Sequence, residues 1–266
     1  MSIDKIISKI KMLQKKYTYI TFLFLDDCTS TNITHFRELI GALSRLDEKI
    51  AWTTVGIRAD LISKLSDEDI RLLWESGCRA LDIGIESGSN RILQYINKGE
   101  TKEIMLLANK KLAKYLIIIK YTFIIGYPTE TREEINETID FYLKLSNENP
   151  HSYPMIFVYT PIVGTQLYND ALMNKFKQPK TIQDWIDMDY KNWLYKYPSW
   201  IPNNEKRKLE VISISSLFCN KNAKYKLTTK LAKLIFTFYH PVAKFRFRYK
   251  FFGLPVESYL SKIFFK

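Results

Sequence analysis

Glu86 closes the apolar run "ALDIGI" and is followed at once by Ser87, Gly88 and Ser89, before a helical pattern resumes in "NRILQYINKG". A carboxylate at the carboxyl end of a buried-looking strand fills a core poorly, because a buried charge is costly unless it is paired. Followed by a small polar turn, it presents polar atoms to a ligand. Other apolar runs end in the same way: Asp26 and Asp27 after "YITFLFL", Arg58 and Asp60 after "AWTTVGI", Gly126 before "YPTET", and Thr160, Pro161 and Gly164 after "YPMIFVY". Asp27 could instead cap the next helix, Arg58 could pair with Asp60 or Asp82, and a turn explains Gly126, although glycine there also lets a bound group approach the backbone. Glu86 has the weakest structural excuse, since Ser87 and Gly88 already satisfy the turn. His35, His151 and His240 show no metal-ligand spacing and make poor catalytic candidates. Cys28, Cys78 and Cys219 lie too far apart to suggest a disulfide framework or a paired-cysteine zinc site, and read as small buried residues.

The elements that must position these residues alternate regularly. Strands are expected at 18–27, 51–60, 79–87, 115–126 and 153–161, where β-branched and aromatic residues cluster between polar or Gly/Pro turns. Helices are expected at 32–46, 66–77, 101–115 and 131–145. Ser66 with Asp69, and Thr131 with Glu134, have the spacing of capping boxes, and Gly77 ends the second helix. Such alternation implies an α/β fold with a parallel sheet and right-handed crossovers, in which ligands bind beyond the carboxyl ends of the strands. About 30 residues per unit suits a β/α barrel or part of one. Beyond 161 the rhythm is lost, so residues 1–175 read as the barrel and 176–266 as an aromatic-rich linker followed by a helical, basic extension.

Composition is that of an ordinary globular protein, with 46% hydrophobic and 26% charged residues among 266. No apolar run is long enough to span a bilayer, and the Lys-rich start lacks the features of a secretory signal. A cytoplasmic location is expected, with peripheral membrane attachment left open. Of the net charge of +12, residues 221–266 carry +10, from eleven Lys or Arg against Glu257 alone. Their interleaving with aromatics suits a segment that meets anionic lipid, nucleic acid or a partner, or a packed appendage with a solvated basic face. Nucleic acid is the less expected partner.

"FLDD", "GIRADL", "GCRALDIGIESGSNRILQYINKG", "FIIGYPTETREEINETIDF" and "TPIVGTQLY", in this order, resemble the radical SAM superfamily. The resemblance covers roughly residues 15–175 and is strongest to the branch whose members often carry an N-terminal cobalamin-binding domain. It implies a partial (β/α)6 barrel that holds S-adenosylmethionine across the strand ends, with a [4Fe–4S] cluster to cleave it. By the resemblance, Asp26 and Asp27 meet the methionine amino group. Glu86 and Ser87 face the methionine and ribose, Arg58 faces the same cavity, and Ile125 and Gly126 pack beside the adenine. The sequence departs from the family in one respect. The Cys-x-x-x-Cys-x-x-Cys loop that follows the family's first strand does not occur in it, and neither does that strand.

Without three thiolates the cluster has no ligands. The expectation is a truncated or split radical SAM enzyme acting on a small-molecule or lipid-like substrate, which binds S-adenosylmethionine but holds no cluster. The alternative is a non-catalytic scaffold or membrane- and partner-binding module that uses residues 221–266. A separate upstream chain or domain could also supply the missing strand and loop, and cobalamin could belong only to a longer form. An uncovered edge at "TYITFLFL" would make the chain prone to self-association.

Overall fold

The apolar runs form strands a little shorter than the runs themselves, because their polar ends turn into loops. Strands β1 (Thr21–Phe24), β2 (Ala51–Ile57), β3 (Cys78–Glu86), β4 (Ile118–Ile125) and β5 (Ser152–Val158) make one parallel sheet in sequential order. The chain is seen in a computed structural model that describes residues 1–26, 32–186, 188 and 198–254. Asp27, Cys28 and the tail from residue 255, with Glu257, lie outside the described residues. This is the α/β architecture with a helical C-terminal region that the alternation implied.

The helices are α1 (Ile3–Lys16), α2 (Ile33–Ser44), α3 (Ala59–Lys64), α4 (Asp67–Glu75), α5 (Asn90–Tyr95), α6 (Lys102–Leu112), α7 (Arg132–Glu148), α8 (Gln166–Met173), α9 (Ile182–Ile186), α10 (Asn203–Cys219) and α11 (Lys230–Tyr249). Their starts follow the local chemistry. Ser66 and Asp69 form a reciprocal capping box on α4, and Asn32 caps α2 by accepting from the His35 N–H. Thr131 and Glu134 do the same at α7: the Glu134 N–H donates to the Thr131 hydroxyl at 3.3 Å and the Thr131 N–H to the Glu134 carboxylate at 2.8 Å.

The chain divides into two compact units that interleave in sequence: 1–85, 100–122 and 144–153 form the first, and 86–99, 123–143 and 154–266 the second. In the first, Phe36 and Ile40 of α2, Trp52 of β2, Ile70 of α4 and Leu81 of β3 are buried. The Trp52 indole N–H is satisfied by the Ser76 carbonyl at 3.1 Å and hydroxyl at 3.0 Å. Buried Tyr121 donates to Asn109 at 2.8 Å, whose amide in turn donates to the Leu145 carbonyl at 3.2 Å, so this tyrosine and asparagine satisfy each other inside the core. Strand β1 ends the sheet order and leaves Leu23 half exposed, with Tyr19 and Leu25 on its flanks more so. The second unit carries the turn after β3, the end of β4, the start of α7 and the C-terminal helices. Its core joins α10 to α11 through Phe218, which stacks on Phe236 at 5.9 Å and meets Tyr239 edge-on at 5.1 Å.

Candidate functional site

Glu86, the last residue of β3, has φ = +66°, a left-handed backbone that costs a non-glycine residue about 1–2 kcal/mol. The turn that follows holds it there. Gly88 lies against the backbone of α7, where an added Cβ would fall 2.4 Å from the Glu137 carbonyl oxygen and 2.7 Å from the Thr138 Cα. That close approach lets the Gly88 N–H donate to the Thr138 hydroxyl at 2.9 Å, while the Ser87 hydroxyl meets the same oxygen at 3.1 Å and accepts from the Ser89 N–H at 3.0 Å. The hydroxyl of Ser87 is thus spent inside the turn, and the residue is fully buried.

The Glu86 carboxylate itself points out of this network. Its side chain is 22% exposed, and the Lys98 ammonium lies 3.4 Å away. Lys98 returns to this position because its N–H closes the end of α5 on the Leu93 carbonyl at 2.9 Å, with Asn97 and Gly99 in left-handed backbone on either side.

Two more carboxylates organise the rim. Glu134 receives Arg91 through two N–H groups at 2.5 and 2.6 Å, the Thr131 N–H, and the Ser89 hydroxyl at 3.2 Å. The Arg91 guanidinium, above all, holds its carboxyl down at about 2. Glu130 accepts the N–H groups of Gly126 and Tyr127 on one oxygen, at 2.5 and 3.2 Å, while its other oxygen is buried without a hydrogen-bond partner. Burial pushes its carboxyl up to about 8, against the pull of those two N–H groups.

Gly126 has φ = +84°, a backbone that strains any other residue, and an added Cβ would also press on the Leu209 side chain at 3.1 Å. Its carbonyl accepts the Trp200 indole N–H at 3.0 Å. The rings of Tyr127 and Tyr159 lie 4.9 Å apart, with Trp200 next to Tyr159 at 6.3 Å. The hydroxyl of Tyr159 is buried without a partner.

The second unit therefore brings together Glu86, Ser87, Ile125 and Gly126 of the residues expected from the sequence. Ile125 is fully buried, and its carbonyl accepts the Tyr159 N–H at 2.8 Å. Asp26 and Arg58 belong to the first unit. Asp26 is exposed just past β1. Arg58 ends β2 paired with Asp60 at 3.0 Å and with buried Glu100 at 3.9 Å, while Asp82 pairs with Lys120. Asp27 lies outside the described residues.

Sequence reasoning passed over Lys98, Arg91, Glu130, Glu134 and Thr138 as members of this site. Glu130 and Glu134 carried a signal, as acids placed four and eight residues after Gly126. Thr138 carried none, since a threonine in mid-helix says nothing about which backbone it meets.

The iron–sulfur cluster finds no fit among these residues. No group of three or more His, Cys, Asp or Glu side chains among the described residues could hold a metal ion. The two described cysteines, one in each unit, are buried, which pushes the Cys219 thiol up to about 12 and the Cys78 thiol higher still. Neither is the thiolate a cluster needs. The polar part of S-adenosylmethionine does fit the rim, since a carboxylate with one cation beside it keeps acceptor capacity for an ammonium or a hydroxyl.

The radical SAM superfamily's sequence profile matches residues 1–142. The chain belongs to the radical SAM superfamily. An uncharacterized methyltransferase, PH0819, from Pyrococcus horikoshii is 31% identical over 173 residues, covering 65% of this chain and 36% of its own length. Cytidylyl-2-hydroxyethylphosphonate methyltransferase from Streptomyces wedmorensis is 26% identical, covering 74% of this chain and 36% of its own. The chain thus spans about a third of the length of these curated relatives.

Among solved structures, the cobalamin-dependent S-adenosylmethionine radical enzyme OxsB shares the fold with a TM-score of 0.63 at 16% identity, over 99% of this chain and 45% of its own. The radical S-adenosylmethionine methyltransferase TsrM from Kitasatospora setae, solved with cobalamin and a [4Fe–4S] cluster, does so at 0.55 and 15% identity, over 65% of this chain and 31% of its own. At 15–16% identity these two solved structures show a shared fold.

Proposed function

We propose that this chain binds S-adenosylmethionine through the Glu86 rim, as the cofactor-holding part of a truncated or split radical SAM enzyme. The observation that carries the proposal is Glu86: a carboxylate held in strained backbone at the end of β3, braced from behind by Gly88 and Thr138, with Lys98 as its close cation. Strain of this kind persists only where the surroundings over-determine it, and it clusters at functional sites. Glu86 would accept hydrogen bonds from the ammonium and ribose hydroxyls, and Lys98 would face the methionine carboxylate. S-adenosylmethionine supplies an activated methyl or adenosyl group when bound. Arg91, Glu134 and Thr138 act by holding the turn in place.

The three cluster thiolates come, in this reading, from residues outside these 266, on the same polypeptide or another. Any cobalamin dependence belongs to that larger assembly. The methyltransferase names of PH0819 and the phosphonate enzyme support methyl transfer as the reaction of the whole, and the second supports a small organic substrate.

Titration calorimetry on the intact chain tests the rim. S-adenosylmethionine is expected to bind, and Glu86→Ala and Glu86→Gln are each expected to weaken it about tenfold or more, the loss of hydrogen bonds to a charged group. The glutamine variant keeps the size of the side chain, so its effect separates lost charge from a disturbed turn. Equal binding by all three proteins would remove Glu86 from the role, and no binding by the unaltered chain would reject the reading.

A second reading, a non-catalytic module, is favoured by the burial of both described cysteines.

A further inference from the structure

Helix α11 presents three distinct faces. Phe236, Tyr239, Ala243 and Phe247 are buried and fix the helix to the second unit, with Phe247 4.8 Å from Tyr142 of α7. On another face Leu231, Leu234, Phe238, Val242, Phe245 and Tyr249 are all exposed, Phe238 by as much as 74%. At about 100° per residue these six fall within an arc of about 80°, a continuous apolar stripe along a helix about 30 Å long. Lys230, Lys233, Lys244 and Arg248, also exposed, fall together on one flank of that stripe. No acidic residue occurs from 221 to 254.

We infer that α11 docks this protein on an anionic lipid surface, with the apolar stripe in the headgroup and acyl boundary and the four cations against lipid phosphates. The chemistry selects this occupant over others. Nucleic acid would satisfy the cations and leave six large apolar side chains in water, which costs burial free energy that a bilayer interface recovers. A second copy could cover the stripe, but pairing α11 with itself would set four cations beside four more, with no acid in 221–254 to meet them. A bilayer surface meets both demands at once. No helix among the described residues is long and apolar enough to cross a membrane, and α11 is held along its length by its buried face, so the contact is one of lying on the surface.

Co-sedimentation of the intact chain with vesicles tests this, comparing phosphatidylcholine alone with phosphatidylcholine containing about a third phosphatidylglycerol. Each cation near such a surface strengthens binding severalfold, so the anionic vesicles are expected to bind at least about tenfold more tightly, and the advantage should shrink in high salt. Phe238→Glu with Phe245→Glu is expected to abolish binding. Lys244→Gln with Arg248→Gln should reduce it about tenfold and flatten its salt dependence. All four positions are exposed, and unchanged circular dichroism of the variants confirms folding. No binding to anionic vesicles would overturn the inference, as would binding that survives the glutamate pair. Retention on DNA or RNA without vesicle binding would overturn it in favour of nucleic acid. A dimer in sedimentation that the glutamate pair dissociates, without vesicle binding, would overturn it in favour of a second copy.

Discussion

Gly88→Ala is expected to lower the stability of the chain by about 3 kcal/mol or more, the most damaging single-methyl change at the site. The added carbon would sit 2.4 Å from the Glu137 carbonyl oxygen and 2.8 Å from its carbon, both backbone atoms of α7. No side chain can swing aside to relieve that contact, so either the turn or the helix must move. Moving either one breaks the bond from the Gly88 N–H to Thr138 and releases Glu86 from its backbone position. Ser87→Ala removes a hydroxyl from the same turn without adding volume, and should cost only about 1–3 kcal/mol. Urea unfolding of the two variants checks the order. Equal midpoints would mean that the close approach of turn and helix is not what holds Glu86.

Glu130→Gln is expected to remove a pH dependence of stability that the unaltered chain shows between about pH 4.5 and 8. Burial raises the Glu130 carboxyl in the folded protein to about 8 from an ordinary 4.5. Within that window the folded state keeps a proton that the unfolded state has lost, so unfolding becomes easier as pH rises, by up to about 1.4 kcal/mol per pH unit. Above pH 8 the loss is complete and the slope ends. Glutamine keeps an oxygen for the Gly126 and Tyr127 N–H groups and has no charge to bury, so its stability should be flat across the window.

Glu134, four residues on, acts in the opposite sense. Its carboxyl is held at about 2, so its ion pair with Arg91 stabilises fully above about pH 4.5 and is lost as pH falls towards 2. Arg91 is 49% exposed, and screening by water leaves that contribution at about 1 kcal/mol. Together the two acids place the best stability of this turn near pH 4.5 to 5. Denaturant midpoints measured from pH 3 to 9 read both slopes, and a Glu130→Gln variant as pH-dependent as the parent would contradict the account.

The sequence made the sheet readable because each strand is a dense apolar run with a polar end, and a run like "ALDIGIE" has few other ways to fold. Caps were equally readable where one residue pair makes both halves of the bond, as Ser66 with Asp69 and Thr131 with Glu134 do. The candidate site drew attention at Glu86 because a carboxylate is out of place at the end of a buried strand.

It was not legible where the decisive contact is long-range. That Ser87 would spend its hydroxyl on Thr138 depends on where α7 lands, and so does the need for glycine at 88. Arg58 had several carboxylates within plausible reach: local sequence offered Asp60 or Asp82, and the structure pairs it with Asp60 and with buried Glu100, while Asp82 pairs with Lys120. The apolar and basic residues of 221–266 could be seen to interleave. Only the helix they form sorts those of α11 into a buried face, an exposed stripe and a charged flank.

Photolabelling is the most direct test of S-adenosylmethionine binding at the Glu86 rim. The intact chain, irradiated with radiolabelled S-adenosylmethionine and digested, should carry saturable label in peptides from 86–99 or 123–131, and excess unlabelled cofactor should suppress it. Label confined to other segments, or label that does not saturate, would contradict a cofactor site at this rim.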